Sequence, residues 1–272
     1  MGLQFAVIVA RLGKTLAALA GCALLLFLVI PLGVVLLQAL EADLWQQLQQ
    51  PTVWQALRLS VITSTLSTAI TLICGTPLAY ALARRRIRGR AAIETVLDLP
   101  IVLPPAVAGL ALLLTFGRRG LFGPLLETLG VNVPFTTLAV VLAQTFVAAP
   151  FFIRSAQSGF ANVPPHLEES ASDLGAGGWH VFYRVTLPLA GTALLSGLIL
   201  SWARALGEFG ATILFAGSFI GRTQTMPLAI YQALETDLNA AIATGAILIL
   251  ISFLFLTLLR LVTHGRIGHP ML

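Results

Sequence analysis

Apolar residues fall into six long runs, at residues 15–40, 57–83, 93–116, 135–160, 186–216 and 240–262, separated by shorter polar breaks. A helix crosses the hydrocarbon core of a bilayer with about 20 mainly apolar residues, and each run meets that length. The pattern predicts an all-α integral membrane fold with six transmembrane helices in one domain. The first run exceeds the apolar part of a cleaved signal peptide, about 7–15 residues, and is taken as a retained span. The third run, around LDLPIVLPPAVAG, carries Asp98, Pro100, Pro104 and Pro105. Proline removes a backbone hydrogen bond and kinks a helix, so a bent helix inside the bundle is expected, its freed carbonyls met by protein or by cavity water. Asp98 either reaches the headgroups from the end of its span or acts beside the polar segment described next.

The longest polar interruption in the second half is 164–188, PPHLEESASDLGAGGWHVFYRVTLP. Pro164 and Pro165 open a helix, and Glu168 and Glu169 sit in an early turn, where a carboxylate meets the positive end of the helix dipole. Ser170, Ala171 and Leu174 continue it for a turn or two. Gly175, Gly177 and Gly178 end it and let the chain turn sharply. A short helix between two spans, acidic in front and glycine-rich behind, suits docking into a groove of a soluble partner.

Composition removes the soluble alternatives. Of 272 residues, 57% are hydrophobic and only 10% charged, with a mean hydropathy of +0.93. A soluble domain has about 25% charged residues, so most of this exterior must face lipid. The net charge of +5 comes from fifteen arginines and one lysine, and their positions bear on topology rather than on nucleic acid. With the N-terminus inside, Arg11, Lys14, Arg84, Arg85, Arg86, Arg88, Arg90, Arg154, Arg184, Arg260 and Arg266 are cytoplasmic, eleven against four outside at Arg58, Arg118, Arg119 and Arg222. Both termini are then cytoplasmic, and so is 164–188. Cys22 and Cys74 lie in apolar runs, point into hydrocarbon or a helix contact, and read as small buried hydrophobes.

Three features keep two readings each. The hydroxyls of the second run, Ser60, Thr63, Ser64, Thr65, Ser67, Thr68 and Thr71, either pack helices or line a hydrated path. The loop FGRRGLFGP at 116–124, with two arginines and three glycines, is a solvated turn or faces a ligand or partner outside. In SWARALGEFGATILFAG, Arg204 and Glu208 stand four apart on one helical face and can pair. That pair, with Thr212 one turn on, either holds helices together or forms part of a gate or path wall.

Catalytic chemistry is not written in this chain. Gly13-Lys14-Thr15 lacks the earlier glycine of a phosphate loop, no nucleophile motif occurs, and His166, His180, His264 and His269 have no metal-ligand spacing. No catalytic residue, metal or cofactor is assigned, and if the chain moves something uphill, a partner must supply the energy.

The spacing Glu169-Ser170-Ala171, three residues, Gly175, nine residues, Val185-Thr186-Leu187-Pro188 resembles the "EAA" loop of bacterial ABC-importer permeases, E-A-A, three residues, G, nine residues, I-x-L-P. Ser170 and Val185 depart from that pattern conservatively. The resemblance runs from about Trp54 to Arg260. It implies a type I ABC-importer permease fold, with an N-terminal span and outer loop at 1–53 and a permease core at 54–265. In that family this loop is the coupling helix seated in the ATP-hydrolysing subunit, here Glu168, Glu169, Ser170, Ala171, Leu174 and Gly175. It further implies a homodimer, two ATPase subunits, a periplasmic or lipid-anchored oxyanion-binding protein, and a bacterial inner-membrane location. FGRRGLFG, RALGEFGATILFAG and GRTQTMPLAIY are most similar to the molybdate branch. Sulfate and thiosulfate permeases share RALGEFGA, and tungstate is a further alternative cargo.

Overall fold

Where the apolar runs are interrupted decides the architecture more than the runs themselves. The computed structural model describes residues 2–42, 44–84 and 87–267, with side chains at 14–42, 44–84, 87–258 and 261. Arg85, Arg86 and His269, and the side chains of Arg11, Arg260, His264 and Arg266, lie outside the described residues. In chain order the helices are α1 (Gly2–Glu41), α2 (Leu44–Leu48), α3 (Pro51–Arg84), α4 (Arg90–Val102), α5 (Pro105–Phe116), α6 (Gly123–Thr128) and α7 (Thr137–Ala161). Then come α8 (Pro165–Asp173), α9 (Gly178–Val181), a π turn (Phe182–Thr186), α10 (Leu187–Leu206), α11 (Gly210–Ala216), α12 (Met226–Leu234) and α13 (Leu238–Ile267). No strand occurs among the described residues.

Five stretches are long and apolar enough to cross a membrane: Lys14–Glu41, Pro51–Arg84, Thr137–Ala161, Gly178–Leu206 and Leu238–Leu258. A sixth is the pair α4–α5, if its bend of 115° is one broken span. The bend falls between Val102 and Pro105, where Pro104 and Pro105 cannot donate to the preceding turn. The fifth run differs from expectation: it is not one helix over 186–216. Helix α10 stops at Leu206, and α11 restarts at Gly210.

Helix α7 is the hub. It runs parallel to α3, since Arg84 reaches the Val163 carbonyl just past the end of α7, while Thr145 meets Ser67 further back. It runs antiparallel to α10, where Ser155 donates to the Ala193 carbonyl and Ser201 to that of Ala148. The hydroxyl-rich run of α3 forms the seam. Ser60, Thr63, Ser64, Ser67 and Thr71 are buried three or four apart, on one face. Thr145 donates to Ser67 Oγ at 3.1 Å, the Met226 N–H to Ser60 Oγ at 2.7 Å, and Trp202 Nε1 to Thr65 Oγ1 at 3.3 Å. These contacts support the packing reading of the hydroxyls. Cys22 and Cys74 are both exposed on the protomer, which fits the hydrocarbon-facing placement and corrects the reading of them as buried in helix contacts.

The α7–α10 seam depends on missing side chains. A Cβ on Gly159 would stand 2.5 Å from the Ala193 Cβ, and one on Gly197 2.7 Å from the Ser155 Cβ. Gly159→Val is therefore expected to force the helices apart at a cost of about 1–3 kcal/mol, lowering the melting temperature in detergent. Gly191→Ala on the same helix, with nothing within 4 Å of its Cβ, should leave it unchanged.

Candidate functional site

Sequence chemistry shapes α8 closely. Pro165 takes the first helical position and Glu168 lies in the first turn. At the other end the Ala176 N–H reaches the Ala171 carbonyl at 3.1 Å, and the Gly175 N–H reaches that of Ser172 at 2.9 Å. This is a Schellman ending, and it places Gly175 at φ +89°, a left-handed conformation that favours glycine. The two adjacent glutamates face different ways. One Glu168 oxygen, Oε1, accepts from Arg84 Nη2 at 3.1 Å and from Thr186 Oγ1 at 2.6 Å. Arg84 Nη2 also donates to the Val163 carbonyl at 2.8 Å. Glu168 thus ties α8 back to the ends of α3 and α7 and the start of α10, instead of facing outward with its neighbours. Glu169, Ser170 and Gly175 are exposed, Ala171 is half-buried, and Leu174 is 90% exposed.

Beside α8, Trp179 and Tyr183 stack at 5.8 Å and remain exposed. Phe182 joins them to Tyr80 of α3, at 5.1 Å, and to Phe160 of α7, at 6.1 Å. This end of the bundle therefore presents an apolar and acidic surface on a tethered base.

Asp98 has a partner that sequence reasoning missed. Arg154 of α7 donates from Nε to Asp98 Oδ1 at 2.8 Å, and its Nη2 pairs with Oδ2. Arg154 Nη2 also meets the Glu94 carbonyl oxygen at 3.0 Å, and Nη1 meets Gln157 Oε1 at 3.0 Å. Gln157 Nε2 and Arg90 Nε both donate to Glu94 Oε1, at 2.7 and 2.8 Å. Five side chains thereby bind α4 antiparallel to α7. The available signal was an arginine and an aspartate in neighbouring apolar runs, where an unpaired charge is costly.

Arg204, Glu208 and Thr212 surround the break between α10 and α11. Arg204 Nη2 and Glu208 Oε2 pair at 2.8 Å, and Glu208 is 1% exposed. Glu208 lies past the end of α10, and its Oε1 accepts the Ala211 N–H at 2.8 Å. The carboxylate therefore satisfies an orphan donor at the start of α11, which is why the chain restarts there. Thr212 is fully buried and its hydroxyl has no partner among the described residues. Packing against α5 is close: a Cβ on Gly210 would lie 2.6 Å from the Pro105 Cβ, and one on Gly109 would lie 2.8 Å from the Ala211 carbonyl oxygen.

These groups are not one site. The α8 cluster sits at the start of α10 and the Arg204–Glu208 pair at its far end, about 30 Å away at 1.5 Å per residue. The loop after α5 lies at that far end too, beside a cavity of about 410 Å³ lined in part by Phe116, Arg118, Glu127 and Asn132. Among the described residues no group of three or more His, Cys, Asp or Glu side chains is placed to hold a metal ion.

A single bundle of this kind, with a polar helix outside it, has clear relatives. Residues 75–267 match the model of the binding-protein-dependent transport system inner membrane component family. The chain belongs to that family. It is 42% identical over 239 residues to the molybdenum transport system permease protein ModB of Mycobacterium tuberculosis, covering 88% of this chain and 89% of that one. It is 36% identical over 257 residues to the sulfate transport system permease protein CysW of Synechococcus elongatus, covering 92% and 90%. The crystal structure of a bacterial ABC transporter involved in the import of alginate has the same fold, with a TM-score of 0.67, 18% identity and 82% of each chain covered. As a member of the family the protein is a multi-pass transport component rather than an enzyme.

Proposed function

We propose that this permease is the membrane-spanning subunit of an ATP-driven importer of molybdate. Two copies enclose the path, two ATPase subunits dock on the two α8 helices, and a periplasmic or lipid-anchored binding protein delivers the oxyanion at the opposite end. Both termini are then cytoplasmic, on the side of Arg84, Arg88, Arg90 and Arg184. The observation that carries this reading is α8: outward groups free to meet a partner, on a base fixed to three spans by Glu168 and Arg84. ATP binding draws the ATPase pair together and moves α8. The motion passes into α10 and reaches the Arg204–Glu208 break at its far end, opening the path outward, and hydrolysis resets it. Cargo choice rests on the 42% identity to the molybdenum permease ModB.

Sulfate or thiosulfate is the second reading, favoured by the 36% identity to CysW over nearly the whole chain, with tungstate as a third. The assembled complex in proteoliposomes, loaded with ATP, is expected to take up labelled molybdate; sulfate uptake without molybdate uptake would overturn the choice. Glu169→Lys should fold normally yet release the ATPase subunit in co-purification, with uptake reduced about tenfold or more by a repulsive charge at the interface. Full uptake by that variant would overturn the docking role of α8.

A further inference from the structure

The α4–α7 network lies at a depth where its exposure needs an explanation. Arg154 is eight residues before Asn162 at the end of α7, about 12 Å along the helix. Yet the side chains of Arg90, Glu94, Asp98 and Arg154 are 47, 25, 44 and 31% exposed in the protomer. Helix α4 buries none of its residues, and Val102, one turn beyond Asp98, is 80% exposed. Arg90 and Glu94 lie at the cytoplasmic end of α4, but Asp98 and Arg154 each stand about 12 Å in from a helix end. Charges open to this extent there cannot face hydrocarbon, where a charge costs up to about 2.5–3.5 kcal/mol at the centre. Water must reach them. The set is also balanced, two arginines against two carboxylates, with every carboxylate oxygen but Glu94 Oε2 engaged.

We infer that the α4 face carrying Glu94, Asp98 and Val102 lines a water-filled conduit, and that Arg154 is the residue compensating its wall charge for the passage of an oxyanion. An arginine left free on this wall would hold a divalent oxyanion, and carboxylates left free would repel it. Paired, they do neither. Arg154 is thus a positioning residue. This rests on the importer reading for its cargo, but the hydration of the wall does not.

Two measurements separate those parts. Both native cysteines are exposed, so the full chain is prepared with Cys22→Ser and Cys74→Ser and assembled with its ATPase subunit in inside-out vesicles. Negatively charged, membrane-impermeant methanethiosulfonate ethylsulfonate is expected to label Val102→Cys and to spare Phe27→Cys, which is 71% exposed in the apolar middle of α1. Equal reactivity at the two positions overturns the conduit, and so does oxidative cross-linking of Val102→Cys between copies in place of labelling. For the charge role, Arg154→Gln should cut molybdate uptake about tenfold or more by leaving the Asp98 carboxylate uncompensated, since Glu94 keeps Arg90. Adding Asp98→Asn should restore much of it, because it removes the uncompensated charge. A double variant no better than the single one overturns the compensating role; a wild-type complex that carries sulfate alone would instead overturn the cargo.

Discussion

Arg204→Leu is expected to yield little folded protein, with a large fall in the melting temperature of whatever survives detergent extraction. Glu208 is 1% exposed, and Arg204 supplies its neutralising charge at 2.8 Å. Removing one partner of a buried pair costs about 3–5 kcal/mol, because the other charge is left without compensation. That is a large part of the total stability of a domain, about 5–15 kcal/mol. Glu208→Gln should be milder. The amide oxygen still accepts from the Ala211 N–H, and the Arg204 side chain, 30% exposed, can turn to water or a headgroup. The double variant Arg204→Leu with Glu208→Gln should recover most of the lost stability. The cycle also decides between the two readings of the pair. A stable double variant with unimpaired uptake makes it a structural clasp, whereas a stable one without uptake makes it part of the gate. A stable Arg204→Leu single variant would contradict the burial argument itself.

The limits of sequence reading follow from where the information lies. Helix α8 was legible because its ends are written in local chemistry: two prolines before it, and a glycine in the left-handed position after it. The apolar runs were legible for the same kind of reason. The bend at Pro104 was foreseeable as a kink, but its 115° depends on what each half packs against, α4 on α7 and α5 on α11. Gly207 and Gly210 marked a place where the chain can bend, but that the helix stops after Leu206 was hidden because the break is made by a side chain. Glu208 caps the next helix with one oxygen and meets Arg204 with the other, and an apolar window registers neither bond. Arg154 was read only as a charge for topology, because its carboxylate partners are about 60 residues away in the chain. Glu168 and Glu169 are neighbours whose side chains point about 100° apart around the helix, and only the position of Arg84 decides which one turns inward.

That last distinction gives the second large effect. Glu168→Ala is expected to cut uptake by about tenfold or more while ATP hydrolysis by the assembled complex stays within about twofold of the wild type, each tenfold corresponding to about 1.4 kcal/mol. The helix itself should survive, since losing a carboxylate from a first turn costs only about 0.3–1 kcal/mol. What is lost is the tether. Arg84 and Thr186 both give up their acceptor, and α8 can then move with the ATPase subunit without carrying α3 and α10 along. Glu168→Gln retains a neutral acceptor for both donors and should keep an intermediate level of uptake. Reversing the pair, Arg84→Glu with Glu168→Arg, should recover part of the coupling, although Arg84 also holds the Val163 carbonyl at 2.8 Å, so recovery will be incomplete. Co-purification separates this from a docking defect: Glu168→Ala should retain the ATPase subunit that Glu169→Lys releases. If the two neighbouring variants behave alike, the inward glutamate is not a transmission element, and the stiffness of the route from α8 to the far end of α10 must reside in the aromatic contacts of Phe182 with Tyr80 and Phe160 instead.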